Sequence, residues 1–154
     1  MDAKPLMTIE LICQAPPAGL AGLQAAAGAG PVLSSPHPDA VALAQKAYPE
    51  RRIEVHERFR EPSLAGCGNP GTFRRLAWML RPSQGDESAE SVRRRVIDSS
   101  VRLVELAKLH QSSTLVAGPW MLGLVAFKLN GIGYRGAFLR GFKAGERRSY
   151  VYGV

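Results

Sequence analysis

The stretch "LICQAPP" over residues 11–17 closes the apolar run "MTIELIC" (7–13) with two consecutive prolines. Ile9, Leu11 and Ile12 are β-forming types, and Pro16 and Pro17 cannot donate to a sheet ladder, so a strand is expected to end here in a loop. Three more strand ends follow. "PVLSS" (31–35) is a short apolar run that leads into "PDAVALAQKAY" (38–48), where Pro38 and Asp39 suit the first turn of a helix. "RRIEVHERF" (51–59) alternates Ile53, Val55 and Phe59 with polar residues, which predicts a strand with His56 and Arg58 on its other face. "STLVAG" (113–118) reads as a buried strand, and Pro119 opens a helix over "PWMLGLVAFKLN".

Between these runs the chain reads as helical. Residues 18–30, "AGLAGLQAAAGAG", give a short face of Leu20, Leu23 and Ala27 ended by Gly28 and Gly30. A Pro- and Gly-rich loop from Pro62 to Gly71 precedes "TFRRLAWMLR" (72–81), a helix that Pro82 stops. Residues 86–110 predict a long amphipathic helix whose stripe is Val92, Val96, Ile97, Val101, Leu103, Val104 and Ala107. "RRSYVYGV" (147–154) is a final strand. Alternating strands and helices imply an α/β fold: a three-layer sandwich with a mostly parallel sheet and helices on both faces. At 154 residues one domain spanning 1–154 is expected. Ligands in such folds sit at the carboxyl ends of the strands. The candidate loops therefore follow Cys13, Ser35, Phe59 and Ala117.

Composition narrows the partners. The formal net charge is +7, from twenty Lys and Arg against thirteen Asp and Glu. Arg135, Arg140, Lys143, Arg147 and Arg148 face only Glu146 near the C-terminus, so a polyanion such as nucleic acid is a conceivable partner, with a solvated surface as the ordinary alternative. Two cysteines without a CxxC pair indicate neither zinc nor a disulfide framework, so neither a metal nor another cofactor is expected. No leader is read at the start, and no apolar run approaches spanning length, so a cytoplasmic protein without a membrane partner is expected. "GIGYRG" (131–136) fits a dinucleotide-binding pattern, but it follows a helix and begins none, so it reads as a turn.

At the four loops the chain resembles the histidine phosphatase superfamily, the phosphoglycerate-mutase-like fold, over nearly its whole length. That family opens with a strand ending in Arg-His-Gly, where "LICQA" places Cys13, Gln14 and Ala15. Its Ser-Ser-Pro signature is kept as Ser34, Ser35 and Pro36 in "SSPHPDA", with Asp39 where an arginine is expected. "FRE" resembles the segment carrying the proton donor, through Glu61, and "GDESAESVRRRV" resembles the start of the long helix. "LVAGPWM" stands at the last signature, with Gly118 in place of the second histidine and Trp120 in place of a glycine.

The resemblance implies a mechanism in which one histidine attacks phosphorus while two arginines and a second histidine clamp the phosphoryl oxygens. Gln14 cannot serve as that nucleophile, because its amide lone pair is delocalised. Asp39 exchanges a cation for an anion, a reversal worth several kcal/mol at ~4 Å and an effective dielectric near 20. The expected protein is therefore a catalytically inactive, phosphatase-like binding or regulatory module, with Gln14, Ser34, His37, Asp39, Glu61 and Trp120 as candidate ligand contacts and a protein or small molecule as partner. Two alternatives remain. One is a rewired hydrolase in which Cys13 attacks with His37 as base, or in which Glu61 still donates a proton; the ordinary readings are a buried strand-end thiol and a surface or helix-capping carboxylate. The other is a polyanion-binding module built on the basic C-terminal stretch.

Overall fold

The computed structural model describes residues 6–20, 30–62 and 89–152. β1 (Met7–Cys13) leads through a 3-10 turn at Pro17–Leu20 towards β2 (Val32–Ser34), α1 (Pro38–Ala47) and β3 (Ile53–Val55). After a second 3-10 turn, Glu57–Phe59, come α2 (Ala89–His110), β4 (Ser112–Ala117), α3 (Pro119–Ile132) and β5 (Arg147–Tyr152). The five strands form one sheet in the order β3-β2-β4-β1-β5. Four are parallel, and β5 alone runs antiparallel, against β1.

Alternation along the strands sorts the core into two halves. Ile9, Leu11 and Cys13 of β1, Leu33 of β2, and Leu115 and Ala117 of β4 point to the side covered by α2 and α3. Ile12, Val32 and Val116 point to the side covered by α1, against Ala40, Leu43, Ala44 and Ala47. The three-layer, mostly parallel architecture expected from the sequence is thus present. The helix expected over 72–81 and most of the one over 18–30 lie outside the described residues.

Two local expectations are corrected. β3 ends at Val55 rather than running on to Phe59, because His56 Nδ1 accepts from the Arg58 amide at 3.0 Å and folds the chain into the 3-10 turn. That turn drives Phe59 fully into the core, whereas Val55 is left exposed. On α2 the stripe is narrower than the pattern: Val92, Val96, Leu103 and Ala107 are buried together with Leu106, but Ile97 and Val101 are 43% and 45% exposed. Around the helix Ile97 lies about 80° and Val101 about 120° beyond Ala107, outside the buried arc.

α2 is nonetheless held tightly on its inner side. Ser113 Oγ donates to the Leu103 carbonyl at 2.8 Å, and Arg95 donates to the carbonyls of Arg58 and Arg60 at 3.2 and 2.7 Å. The segment that follows β3 is therefore pinned between the Phe59 side chain below and Arg95 above. Truncating Phe59 to Ala is expected to cost about 3–5 kcal/mol of stability, read as a lowered urea midpoint, because the cavity opens under the segment that carries Glu61.

Candidate functional site

The β1–β4 ladder places Cys13 opposite Ala117, so the two loops that follow leave the sheet side by side. The Gln14 amide donates to the Ala117 carbonyl at 2.9 Å, and the Ser35 amide donates to Val116 at 2.9 Å, which adds the β2 loop to the same edge. Glu61 comes to this edge from beyond β3. The candidates Cys13, Gln14, Ser34, Glu61, Gly118 and Trp120 are thereby gathered at one end of the sheet.

Glu61 is the centre of this arrangement. Its Oε1 accepts from the Met121 amide at 2.6 Å and its Oε2 from the Trp120 amide at 3.2 Å. These are two of the orphan donors of the first turn of α3, and the carboxylate also meets the positive end of the helix dipole. A glycine at position 118 makes the seat possible, since a Cβ there would overlap Cγ and Cδ of Glu61. Gly118 supplies no capping side chain of its own. Glu61 is thus the cap of α3, delivered from another part of the chain.

Around this pair the remaining candidates are engaged locally. Ser34 is buried and donates to the Ser35 carbonyl at 2.8 Å. His37 caps α1: its Nδ1 accepts from the Asp39 amide at 3.1 Å, and Asp39 Oδ2 lies 4.0 Å from the same nitrogen. The indole of Trp120 is buried in the cluster that includes Cys13, Phe59 and Val92. Gln14 Oε1 is shielded from solvent without a hydrogen-bond partner among the described residues. Among the described residues no group of three His, Cys, Asp or Glu side chains is placed to hold a metal ion.

The Cys13 thiol is pushed up to about 11, first by burial and then by the negative charges of Glu61 and Glu146; Arg148 and the Gly145 amide pull weakly the other way. No described histidine donates to or accepts from it, and His37 is spent on its own helix.

Glu146 and Arg148 are the residues near the site that sequence reasoning did not single out. Arg148 is buried, with Nε 2.7 Å from Glu146 Oε2, and it donates to the carbonyls of Arg140 and Gly141 at 2.7 and 2.6 Å while stacking 3.9 Å over the Phe142 ring. This locks the loop before β5 over the end of β1, where the Cys13 amide donates to Glu146 and the Gly145 amide donates to Cys13. The available signal was that Arg148 and Tyr150 occupy the inward positions of an alternating strand. Of the basic stretch, Arg140 is paired with Glu146 at 2.7 Å and Arg147 lies 3.4 Å from Glu10, so three of its five cations serve internal contacts.

No family model matches the chain, and no curated protein matches it. Solved structures do match. The alpha-ribazole phosphatase of Shigella flexneri superposes with a TM-score of 0.63 at 14% identity, covering 93% of this chain and 89% of that one. A mycobacterial glucosyl-3-phosphoglycerate phosphatase complexed with VO3 gives 0.59 at 16% identity, covering 93% and 90%. Phosphoserine phosphatase of Entamoeba histolytica, in complex with 3-phosphoglyceric acid, gives 0.62 at 12%, covering 92% and 89%. The chain has the histidine-phosphatase fold. The likeness is one of backbone path, and the phosphoglycerate-mutase-like architecture read from the four loops is the one observed.

Two predictions follow from the charges and the thiol of this histidine-phosphatase-like chain. In a Cys67→Ser background, native Cys13 is expected to alkylate with iodoacetamide at pH 8 at least roughly 100-fold more slowly than an ordinary thiol, matching the thiolate fraction lost as its pKa rises from 9.0 to about 11. Glu146 is held down to about 2, mainly by the hydrogen bonds of Arg148 and the Lys143 amide. A carboxyl depressed in the folded state stabilises fully above its unfolded value of 4.5 and loses that contribution as pH falls towards about 2. The stability gap between wild type and Arg148→Met, from urea midpoints, is therefore expected to be widest near neutral pH and to shrink steadily below pH 4.5.

Proposed function

We propose that this chain is a catalytically inactive phosphatase-fold protein, a pseudoenzyme that acts as a binding or regulatory module. The observation that carries the reading is the Glu61 carboxylate seated on the first turn of α3 in the space left by Gly118. A helix N-terminus attracts an anion. Here the anion is already part of the chain, so a phosphoryl group arriving at that point meets a carboxylate instead of free amide donors.

The other groups support the same conclusion. Gln14 offers no nucleophile, and the Cys13 thiol, pushed up to about 11, is almost wholly protonated at neutral pH. Both oxygens of Glu61 accept from backbone amides of α3, so the carboxylate is engaged with the helix rather than turned towards a leaving group. Asp39 adds negative charge at the head of α1 instead of the cation that a phosphate clamp needs. A partner that fits this edge carries no dianionic phosphoryl group: a protein surface, or an uncharged or cationic small molecule. The reducing cytoplasm suits a free, buried Cys13.

The test is turnover of an aryl phosphate across pH by wild type, Glu61→Ala and Cys13→Ser, each purified under contaminant controls. None of the three is expected to turn over, and vanadate is expected to leave the wild-type Tm unmoved. Turnover by the wild type that disappears in either variant would establish a rewired hydrolase and overturn the proposal.

A further inference from the structure

α3 is apolar almost all the way round. Trp120, Met121, Leu122, Val125, Ala126 and Leu129 face inward. The opposite arc, where a surface helix ordinarily turns charge to solvent, carries half-buried Leu124 and Phe127, which is 63% exposed. Gly123 and Gly131 lie one helical row to either side of Phe127, and a Cβ at either position would meet nothing within 4 Å, so the ring stands clear of the helix. The loop after α3 returns to it: the Phe138 ring sits edge-on to Phe127 at 6.0 Å between centroids, and Leu139 beside it is 86% exposed. Phe127 and the half-buried Phe138, which also packs on the core, thus form an apolar tip that exposed Leu139 continues along the chain.

The charge around that tip has a single sign. Residues 119–145 contain no Asp or Glu, yet hold Lys128, Arg135, Arg140 and Lys143, all exposed. Lys128 adjoins Phe127 and Arg140 adjoins Leu139. The nearest acid along the chain, Glu146, is neutralised by Arg140 and buried Arg148.

We propose that the Phe127–Phe138–Leu139 tip and its flanking cations dock this protein on an anionic lipid surface. Aromatic and leucine side chains enter the boundary between headgroups and acyl chains, while lysine and arginine bind the headgroup phosphates. Arg140 is already paired with Glu146, so Lys128 beside Phe127 is the flanking cation for that role. The shape of the patch selects this occupant over a protein. Leu139 stands out into solvent instead of lining a groove, and a protruding apolar tip is accommodated by a fluid surface without a complementary pocket. No described helix is long and apolar enough to cross a membrane, so the contact is peripheral. The sequence-based expectation of no membrane partner rested on spanning length alone, which surface docking does not require. The inference is independent of whether the site at Glu61 is silent.

The test is co-sedimentation of the full chain with vesicles of phosphatidylcholine alone and of phosphatidylcholine and phosphatidylglycerol in equal parts. Binding to the anionic vesicles is expected to be about tenfold stronger, to weaken with added salt, and to fall about tenfold in Leu139→Asp and Phe127→Ser while their circular dichroism stays that of wild type. Lys128→Glu is expected to weaken binding without altering the fold. Absence of binding to the anionic vesicles overturns the proposal. So does binding that neither apolar substitution changes, which marks a purely electrostatic polyanion surface. A concentration-dependent dimer abolished by Phe127→Ser, in protein that ignores vesicles, overturns it in favour of a second copy as the occupant.

Discussion

The parallel ladder between β1 and β4 is the contact from which the rest of the molecule takes its position. Six residue pairs, Thr8 with Ser112 through Cys13 with Ala117, bring the ends of two distant strands into step. Because the pair is parallel, both chains leave the sheet in the same direction, and the loops that follow must meet. β2 joins the other side of β4 in the same sense, and β5 closes the far side of β1. The side chains of this central pair point alternately to α2 and α3 or to α1, so the ladder also decides which residues form each half of the core.

A parallel sheet of this kind ends in helix N-termini, and each brings unsatisfied amides and a positive field to one edge. Such a set of donors is filled by a ligand, by solvent or by the chain itself. At α1 the chain uses His37, and at α3 it uses Glu61. The second choice is coupled to Gly118, because the carboxylate occupies volume that any side chain at that position would claim. The edge is stabilised by an internal anion, a contact of the helix-capping kind worth roughly 1 kcal/mol. A second acid, Asp39, stands in the first turn of α1. Both carboxylates add negative charge at a helix N-terminus of this edge.

The segment before β5 shows how a basic sequence becomes a buried structural element. A guanidinium taken out of water has to recover its hydrogen bonds, and Arg148 does so from Glu146 and from carbonyls of the loop it closes. That loop is drawn over Cys13, where the Glu146 charge helps keep the thiol protonated while Arg148 and the Gly145 amide pull the other way. Cations that look available in composition are therefore divided. Arg140, Arg147 and Arg148 bind acids of the chain itself, while Lys128, Arg135 and Lys143 are exposed.

Much of this was legible in the residues. Apolar alternation and the prolines at 16, 17, 38 and 119 marked the strands, the helix starts and the edge where a site belongs, because those signals act within a few positions of the chain. That an amide, Gln14, follows β1 at the site edge is a matter of residue identity, and it needed no coordinates. Other features were closed to such reading. β3 stops early because the His56 ring captures an amide two residues on, a hydrogen bond that a period-two pattern does not encode. Ile97 and Val101 extend the apolar pattern of α2 beyond the face its neighbours cover. Arg148 gave the appearance of surface charge until the loop folded around it. Glu61 finds its partner Met121 sixty positions away, in room made by a glycine that itself has no side chain to read. The sequence by itself determined the elements, their order and the residue types at the strand ends, because periodicity and residue type are local. Only the tertiary structure decided what fills the site, because the partner of a buried charge and the space beside it are set by elements far apart in the chain.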